Sequence, residues 1–420
     1  MKQKWTLKRV IQFCCLCGAG LMYYVPYGFS IYYDTFIEAF GVSNAQLGAI
    51  QSAYTMVSMF TYFFGGLVAD KFSARKLLVF SYVGTAALTF WFGMFPAYAV
   101  ALLIMGLMGF INTVTFYSAM MKGVRIFAGE GNEGMGMGWQ EAFRCLVASG
   151  ASILAMFLFS QSADDITGLR NVIWLFAAAI LAIGILSFIF LERDVVTQDA
   201  DHNLMNNLRI CFKDVNIWLI SLIVACLYMS NVAIRFMTPF ATSIFGITVL
   251  MGAVLGNFRE YMRPFGAFAA GSLSTRVGIT KAMFIFSAIF CVLNYGLAFM
   301  PQSKSLVYII FIMAAVGWIV LGAMRGLYFA PIGEANISMA ITGTAVGIIA
   351  TIGYIPDAVM PMVYGKIIDS FPPERAYPII FTIAGTSILL GLVLMLVFMK
   401  RNKKSIAALM EKKRREATGS

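Results

Sequence analysis

Histidine and charge are what this chain has least of. Among 420 residues there is one histidine, His202, and only 12% of the residues carry a charge, against about 25% in an ordinary soluble domain. One histidine in a polar stretch gives no imidazole pair for a metal and no base for a nucleophile. The expectation is therefore no enzyme, no metal and no cofactor. Cysteine is scarce too. Cys14, Cys15, Cys17, Cys145, Cys211, Cys226 and Cys291 are odd in number, and most sit in apolar runs. They lack zinc-ligand spacing and read as small apolar fillers. No phosphate loop of the G-x-x-x-x-G-K-S/T kind occurs, so nothing points to nucleotide as an energy source. Acids are outnumbered, 20 against 31 basic residues, giving a net charge of +11. The basic residues are scattered over short loops, which excludes a nucleic-acid surface and suggests membrane topology instead.

What is present is hydrophobicity. Apolar residues make up 60% of the chain, and a bilayer-spanning helix needs roughly 20 of them in a row. Twelve spans are predicted, near 10–33, 45–69, 76–96, 98–126, 137–160, 169–192, 215–240, 248–273, 280–300, 305–330, 340–369 and 377–399. Ser43 or Asn44 is placed to cap the second. The first run is too long for a signal peptide and reads as the first membrane helix. With the N-terminus in the cytoplasm, 22 Lys and Arg fall on that side and only Arg170, Lys304, Lys366 and Arg375 on the other. The remaining five, Arg144, Arg235, Arg259, Arg263 and Arg325, lie inside helices. Both termini are thus expected to be cytoplasmic.

The longest polar break, 193–214, separates two six-helix halves, 1–192 and 215–399, with a basic tail at 400–420. The tail reads as an anchor against anionic lipid. Two loops repeat at an offset of about 205 residues. The first runs Gly66-Leu67-Val68-Ala69-Asp70-Lys71-Phe72-Ser73-Ala74-Arg75-Lys76. The second has Gly271, Thr275, Arg276, Gly278 and Lys281 at matching places. A fixed offset marks a duplicated unit.

The first loop resembles the signature cytoplasmic loop of the major facilitator superfamily, G-x-L-A-D-R/K-x-G-R/K-K. Ser73 replaces its glycine and Ala74 one of its cations. The second copy has Thr275 where the acid belongs, which weakens any charge-based latch there. With the twelve spans and the central linker, the resemblance covers nearly the whole chain. It implies an all-α membrane fold of two pseudo-symmetric six-helix bundles around a central cavity. It also implies sites near the bilayer midplane and alternating access, and makes Asp70 and Arg75 conformational machinery. Arg325-Gly326-Leu327-Tyr328-Phe329-Ala330-Pro331-Ile332-Gly333-Glu334, with Glu141 and Arg144, resembles more particularly a bacterial branch labelled nitrate/nitrite-like or sugar-phosphate-like, some members of which are encoded beside sulfosugar-breakdown genes. That branch implies a bacterial inner membrane. The drug-antiporter G-P pair is missing from the fifth helix, and the peptide-symporter acid pattern and the phosphate-exchanger arginine are missing from the first. Arg263 lies twelve residues before Thr275, roughly 6 Å deeper than a nitrate carrier's arginine.

A charge at the bilayer centre costs about 2.5–3.5 kcal/mol, so each needs a partner, water or ligand. Glu141 and Arg144 share a helix face, as do Arg259 and Arg263. Helix rise puts Arg144 roughly 10 Å deep, Arg263 roughly 15 Å and Arg259 roughly 21 Å. In the resembled fold the fifth and eighth helices meet, which would bring Glu141, Arg144, Arg259, Glu260 and Arg263 into one cluster with a positive charge left over. Three roles stay open: an interdomain salt-bridge gate, direct anion contact, and proton coupling through Glu141 or Glu260. Asp357 follows Pro356 at the depth of Arg235, as an ion pair or a proton-coupling carboxylate. Arg325 is a gating residue with Glu334 as a possible partner. Tyr24, Tyr27, Asn112, Tyr117, Tyr228, Asn231 and Trp318 are candidate cavity-lining residues from the first, fourth, seventh and tenth helices.

The expected function is a secondary active transporter of a small organic anion, proton-coupled and acting as a monomer in the lipid bilayer. Anion exchange, a transporter-like ligand sensor and multidrug efflux are the alternatives.

Overall fold

In the computed structural model the described residues are almost entirely helical, with no strand among them. The structure describes residues 6–128, 133–192, 204–335, 337 and 342–418. Within these it does not describe the side chains of 62–67, 69–71, 125, 128, 133–139, 141–142, 204–207, 275, 342–343 and 412–418. The side chains of Asp70, Glu141 and Thr275, and the whole of His202, therefore lie outside the described residues. Part of the expected linker is structured, because Leu204–Lys213 forms a short helix before the seventh span.

Among the described residues twelve helices have the length of a bilayer crossing, nine of them also apolar enough for one. Helix 1 occupies Leu7–Ser30, helix 4 Tyr98–Val124 and beyond, helix 6 Asp165–Phe190, and helix 7 Val215–Phe245. Helix 5 is Glu133–Ser160, helix 9 Ile279–Phe299, helix 10 Val307–Leu327 and helix 12 Pro373–Arg401. Helix 11 is built from Thr342–Gly353 and Ile355–Ser370. Helix 2 (Asn44–Lys71), helix 3 (Ala74–Phe92) and helix 8 (Val249–Val277) are also long enough, but more polar. Local chemistry sets the starts. Ser43 and Gln46 form a reciprocal capping box at helix 2. Asp164 accepts from the Thr167 amide and hydroxyl, both at 2.8 Å, and these bonds hold its carboxyl below the usual carboxylate range.

Several helices are interrupted at mid-span, and proline lies beside three of the breaks. Proline lacks the N–H that would reach the carbonyl four residues earlier, and its ring crowds that carbonyl. Pro26 lies beyond the break at Tyr23 in helix 1. Pro239 follows a 3₁₀ turn over Ile234–Phe236 in helix 7. Pro356 follows the interruption at Tyr354 in helix 11. Helix 4 widens into a π-helical stretch, Ile111–Tyr117. There the Thr113 and Thr115 hydroxyls donate back to the Gly109 and Ile111 carbonyls, at 2.6 and 2.9 Å, a bonding habit that bends helices.

Packing divides the chain into two units. The first holds Met1–Ala200 with Thr248–Glu260 and Pro361–Gly365. The second holds Asp201–Ile247, Tyr261–Met360 and Lys366–Ser420. Helix 8 changes unit after Glu260, the residue whose carbonyl loses its partner to Pro264. Within the first unit, helix 2 and the 361–365 stretch of helix 11 meet backbone to backbone. A side chain at Gly48 would strike Pro361, and one at Gly365 would strike Asn44. The second unit has its own seam between helices 8 and 10, with Gly266 against Ile319 and Gly322 against the Arg263 backbone. Large apolar side chains left exposed on the helices, such as Phe157, Phe188, Val292 and Leu390, are the surface a bilayer covers.

Candidate functional site

Each unit has a polar centre beside its broken helices. In the first, the break in helix 1 presents Tyr23, Tyr24 and Tyr27. Tyr27 packs edge-on against Tyr54 of helix 2, centroids 5.8 Å apart, and the Arg259 guanidinium lies 5.9 Å from the Tyr27 ring centroid. Arg259 bonds its own neighbour, Glu260, at 2.7 Å, and both side chains are about nine-tenths buried. Arg144 lies within electrostatic reach of Tyr23, as do Tyr27, Tyr54 and Tyr117. Its backbone carbonyl blocks any side chain at Gly20, so helices 1 and 5 approach closely. Tyr117, half-buried, ends the π-helical stretch.

Two of the sequence candidates here are held by the protein itself. Asn112 is fully buried, accepting from Thr85 at 3.1 Å and donating to the Tyr54 hydroxyl at 3.2 Å. It fixes Tyr54 rather than presenting an amide to a ligand. Tyr24 stacks on Phe176 of helix 6, centroids 3.7 Å apart, though its phenol lies within the field of Arg259 and Glu260. Arg75 leaves the loop and donates to the Phe188 carbonyl, with its guanidinium 5.2 Å from that ring's centroid, so it fastens helix 3 to helix 6.

In the second unit the centre is a buried ion pair. Arg235, in the 3₁₀ turn of helix 7, meets Asp357, in the first turn after the break of helix 11, at 2.7 Å. Their side chains are 5% and 7% exposed. Both prolines loosen the backbone beside this pair. A tyrosine group adjoins it: Tyr228 lies 4.7 Å from Tyr354 and 6.1 Å from Tyr328, centroid to centroid. Arg325 lies 6.0 Å from the Tyr228 ring centroid, and the Arg263 charge acts on both Tyr228 and Tyr328. Asn231, one turn after Tyr228, is buried, and its amide nitrogen has no hydrogen-bond partner among the described residues. Trp318 is buried in helix 10.

Arg259 and Glu260 bond each other, and the Arg263 charge acts on tyrosines of the second unit. One expected placement changes. Glu334 does not bond Arg325. Its carboxylate accepts from the Ile279 amide at 2.8 Å, the Thr280 amide at 3.0 Å and the Thr280 hydroxyl, capping helix 9. The sequence reading missed Tyr23, Tyr54, Tyr328 and Tyr354. One signal was available, since the 205-residue offset of the loops also relates Tyr228 to Tyr23. Tyr354 stands at a helix interruption, two residues before Pro356. No group of three or more potential metal ligands occurs among the described residues.

A sequence model described as Major Facilitator Superfamily matches residues 13–333. The inner membrane protein YihN of Escherichia coli (strain K12) is 26% identical over 409 residues, covering 95% of this chain and 96% of the relative. The inner membrane protein YqcE of the same organism is 24% identical over 409 residues, covering 94% of each. The nucleoside transporter NupG superposes with a TM-score of 0.72 at 14% identity, over 94% of this chain and 99% of that one. A bacterial homologue of the human lysosomal transporter Spinster, inward-facing and unoccupied, gives 0.67 at 15% identity, over 98% of both. The chain is a multi-pass membrane transporter, not an enzyme, and belongs to the major facilitator superfamily.

Proposed function

We propose that this transporter moves a small organic anion by alternating access, coupled to protons. One observation carries the reading. Inside the membrane helices stand five arginines, Arg144, Arg235, Arg259, Arg263 and Arg325, against three carboxylates, Glu141, Glu260 and Asp357. Together they leave two positive charges over in a low dielectric, a surplus that falls in the second unit, where Arg235, Arg263 and Arg325 stand against Asp357 alone, and that favours an anion over a cation or a neutral solute. Guanidinium suits the task because it stays charged and binds carboxylate, sulfonate or phosphate through two parallel hydrogen bonds. Tyrosines beside the arginines, Tyr27 and Tyr54 in one unit and Tyr228 and Tyr354 in the other, suit a substrate that also carries hydroxyls. NupG's substrates, nucleosides, would not need this charge.

Coupling falls to Asp357. An anion that draws Arg235 away leaves a buried carboxylate without its counter-charge, and taking up a proton removes that cost. Glu260 beside Arg259 offers the same chemistry. Asp70, Arg75 and Arg325 serve the conformational change. The halves 1–192 and 215–399 rock against each other, with both termini in the cytoplasm of a bacterial inner membrane.

Uptake into proteoliposomes tests this. Radiolabelled carboxylates, sulfonates and sugar phosphates are offered with and without an inward proton gradient. Uptake of one anion class, stimulated by the gradient, is expected, and Arg263→Ala and Arg144→Ala should each abolish binding. Uptake of a lipophilic cation with none of any anion overturns the reading. Uptake driven only by an internal anion would make the protein an exchanger.

A further inference from the structure

We infer that the second unit carries a binding site for an anionic phospholipid where helices 8, 9 and 12 end beside the C-terminal helix. That helix, Lys403–Thr418, follows helix 12 after a single residue. Between it and the bundle lie two adjoining cavities of ≈ 730 and ≈ 460 Å³, which share Val277, Lys281, Met399 and Met410. The larger lies within the range of small-molecule pockets, about 300–1,000 Å³.

The lining divides by chemistry in the way a lipid does. Arg276 at the end of helix 8, Lys281 in the first turn of helix 9, Lys400 in the last turn of helix 12 and Lys403 opening the tail helix all face the space. All four are exposed, and none forms an ion pair among the described residues. Two carboxylates line the space against these four cations: Glu411, exposed on the tail helix, and the buried Glu334, which is already engaged by the Ile279 and Thr280 amides. Glu334 thereby fills the start of helix 9, so an incoming anion must be held by the long basic side chains. The other wall is apolar. Phe284 and Ile285 lie one turn further along helix 9 from Lys281, toward the hydrocarbon, and Ile285 is 41% exposed. Met399 and Met410 close the floor with adaptable thioether chains.

Cations at the helix ends and an apolar wall one turn deeper match a phosphate headgroup at the interface with its acyl chain below. A soluble phosphate would leave the apolar wall unused. Helices 9 and 12 also present exposed Val292, Phe299, Leu389, Leu390 and Val393 outward, so the groove opens beside bilayer-facing surface. A lipid held there ties the tail helix to the bundle. The tail helix adds Lys412, Lys413, Arg414 and Arg415 in sequence beyond the groove.

Native mass spectrometry of the full chain tests the site, after reconstitution in nanodiscs of phosphatidylcholine alone or mixed with phosphatidylglycerol. Phosphatidylglycerol should be retained as a bound adduct in preference to phosphatidylcholine. Each basic residue near a membrane surface strengthens binding about fivefold, so Lys281→Ala/Lys403→Ala should weaken retention about 25-fold. Lys281→Arg/Lys403→Arg should keep it. Lys400→Gln, at an exposed helix end, gives the same test with a smaller change if the double variant elutes aggregated. Equal retention of the two lipids, or undiminished phosphatidylglycerol on both the double variant and Lys400→Gln, overturns the proposal. So does displacement of the lipid by free glycerol phosphate at equal concentration, which would make this a soluble-anion site.

Discussion

Arg259 and Glu260 are neighbours on one helix, whereas Arg235 and Asp357 come from helices 7 and 11. The first pair cannot hold two helices together, since one backbone already positions both members. The second can, and it sits where both helices are interrupted. The two polar centres are therefore not copies of each other, although the chain repeats. One presents a charge pair on a single helix beside Tyr27, and the other joins two interrupted helices.

The sharpest way to break this comparison is to strand one member of each pair. Removing one partner of a buried ion pair costs about 3–5 kcal/mol, so Asp357→Asn or Arg235→Gln should lower the unfolding temperature in detergent strongly. Replacing both, Arg235→Leu/Asp357→Leu, should recover most of that stability while uptake stays absent. Arg259→Gln should cost less, about 1.5–3 kcal/mol for a lost charge-assisted hydrogen bond, because the ion pair it breaks lies within one helix. Equal losses for Arg235→Gln and Arg259→Gln would show that the cross-helix geometry contributes nothing.

A second comparison concerns the glycine seams. Gly48 and Gly365 let helix 2 meet the 361–365 stretch, and Gly266 and Gly322 do the same for helices 8 and 10. In both the obstacle is backbone, which cannot swing aside. Gly48→Val and Gly266→Val should each cost about 1–3 kcal/mol through overpacking. Gly271→Ala, with open space around it, should stay within about 0.5 kcal/mol. Thermal unfolding of the three variants checks the ranking.

The same contrasts show what was legible in the sequence. Span number and order followed from the length of apolar runs, since a bilayer demands a fixed helix length. Arg235 and Asp357 could be set at one depth because helix rise is constant. Their meeting at 2.7 Å needed the folded chain. Spacing along a helix reports a shared face and says nothing of which neighbour a long side chain reaches, so the bond between the adjacent Arg259 and Glu260 was not legible. Asn112 looked like a ligand group because burial and hydrogen bonding are absent from a linear pattern; only the contacts with Thr85 and Tyr54 reveal it as a brace. Pro26, Pro239 and Pro356 were visible, but the π-helical stretch of helix 4 was not, since back-bonding threonines also occur in regular helices.

The smallest effect separates the two copies of the loop. Ser73 in the first copy has ordinary extended backbone, φ −62°, and Arg75 beside it fastens to helix 6. Its counterpart Gly278 has φ +99°, a conformation that side chains resist, and the amides just after it point into Glu334. The second loop is thus held by an acid brought in from beyond helix 10, in a loop whose own acid position is Thr275. Glu334→Gln keeps the shape, but it halves the acceptors and removes the charge facing the helix N-terminus. A lost cap costs about 0.5–2 kcal/mol, so the unfolding temperature should fall modestly. Amide hydrogen exchange at Ile279 and Thr280 should rise by about tenfold, the factor equivalent to 1.4 kcal/mol. Ser73→Ala, which makes no capping bond at helix 3, should leave exchange at that helix start unchanged. If both substitutions accelerate exchange alike, the loops are equivalent and the acid from beyond helix 10 is incidental.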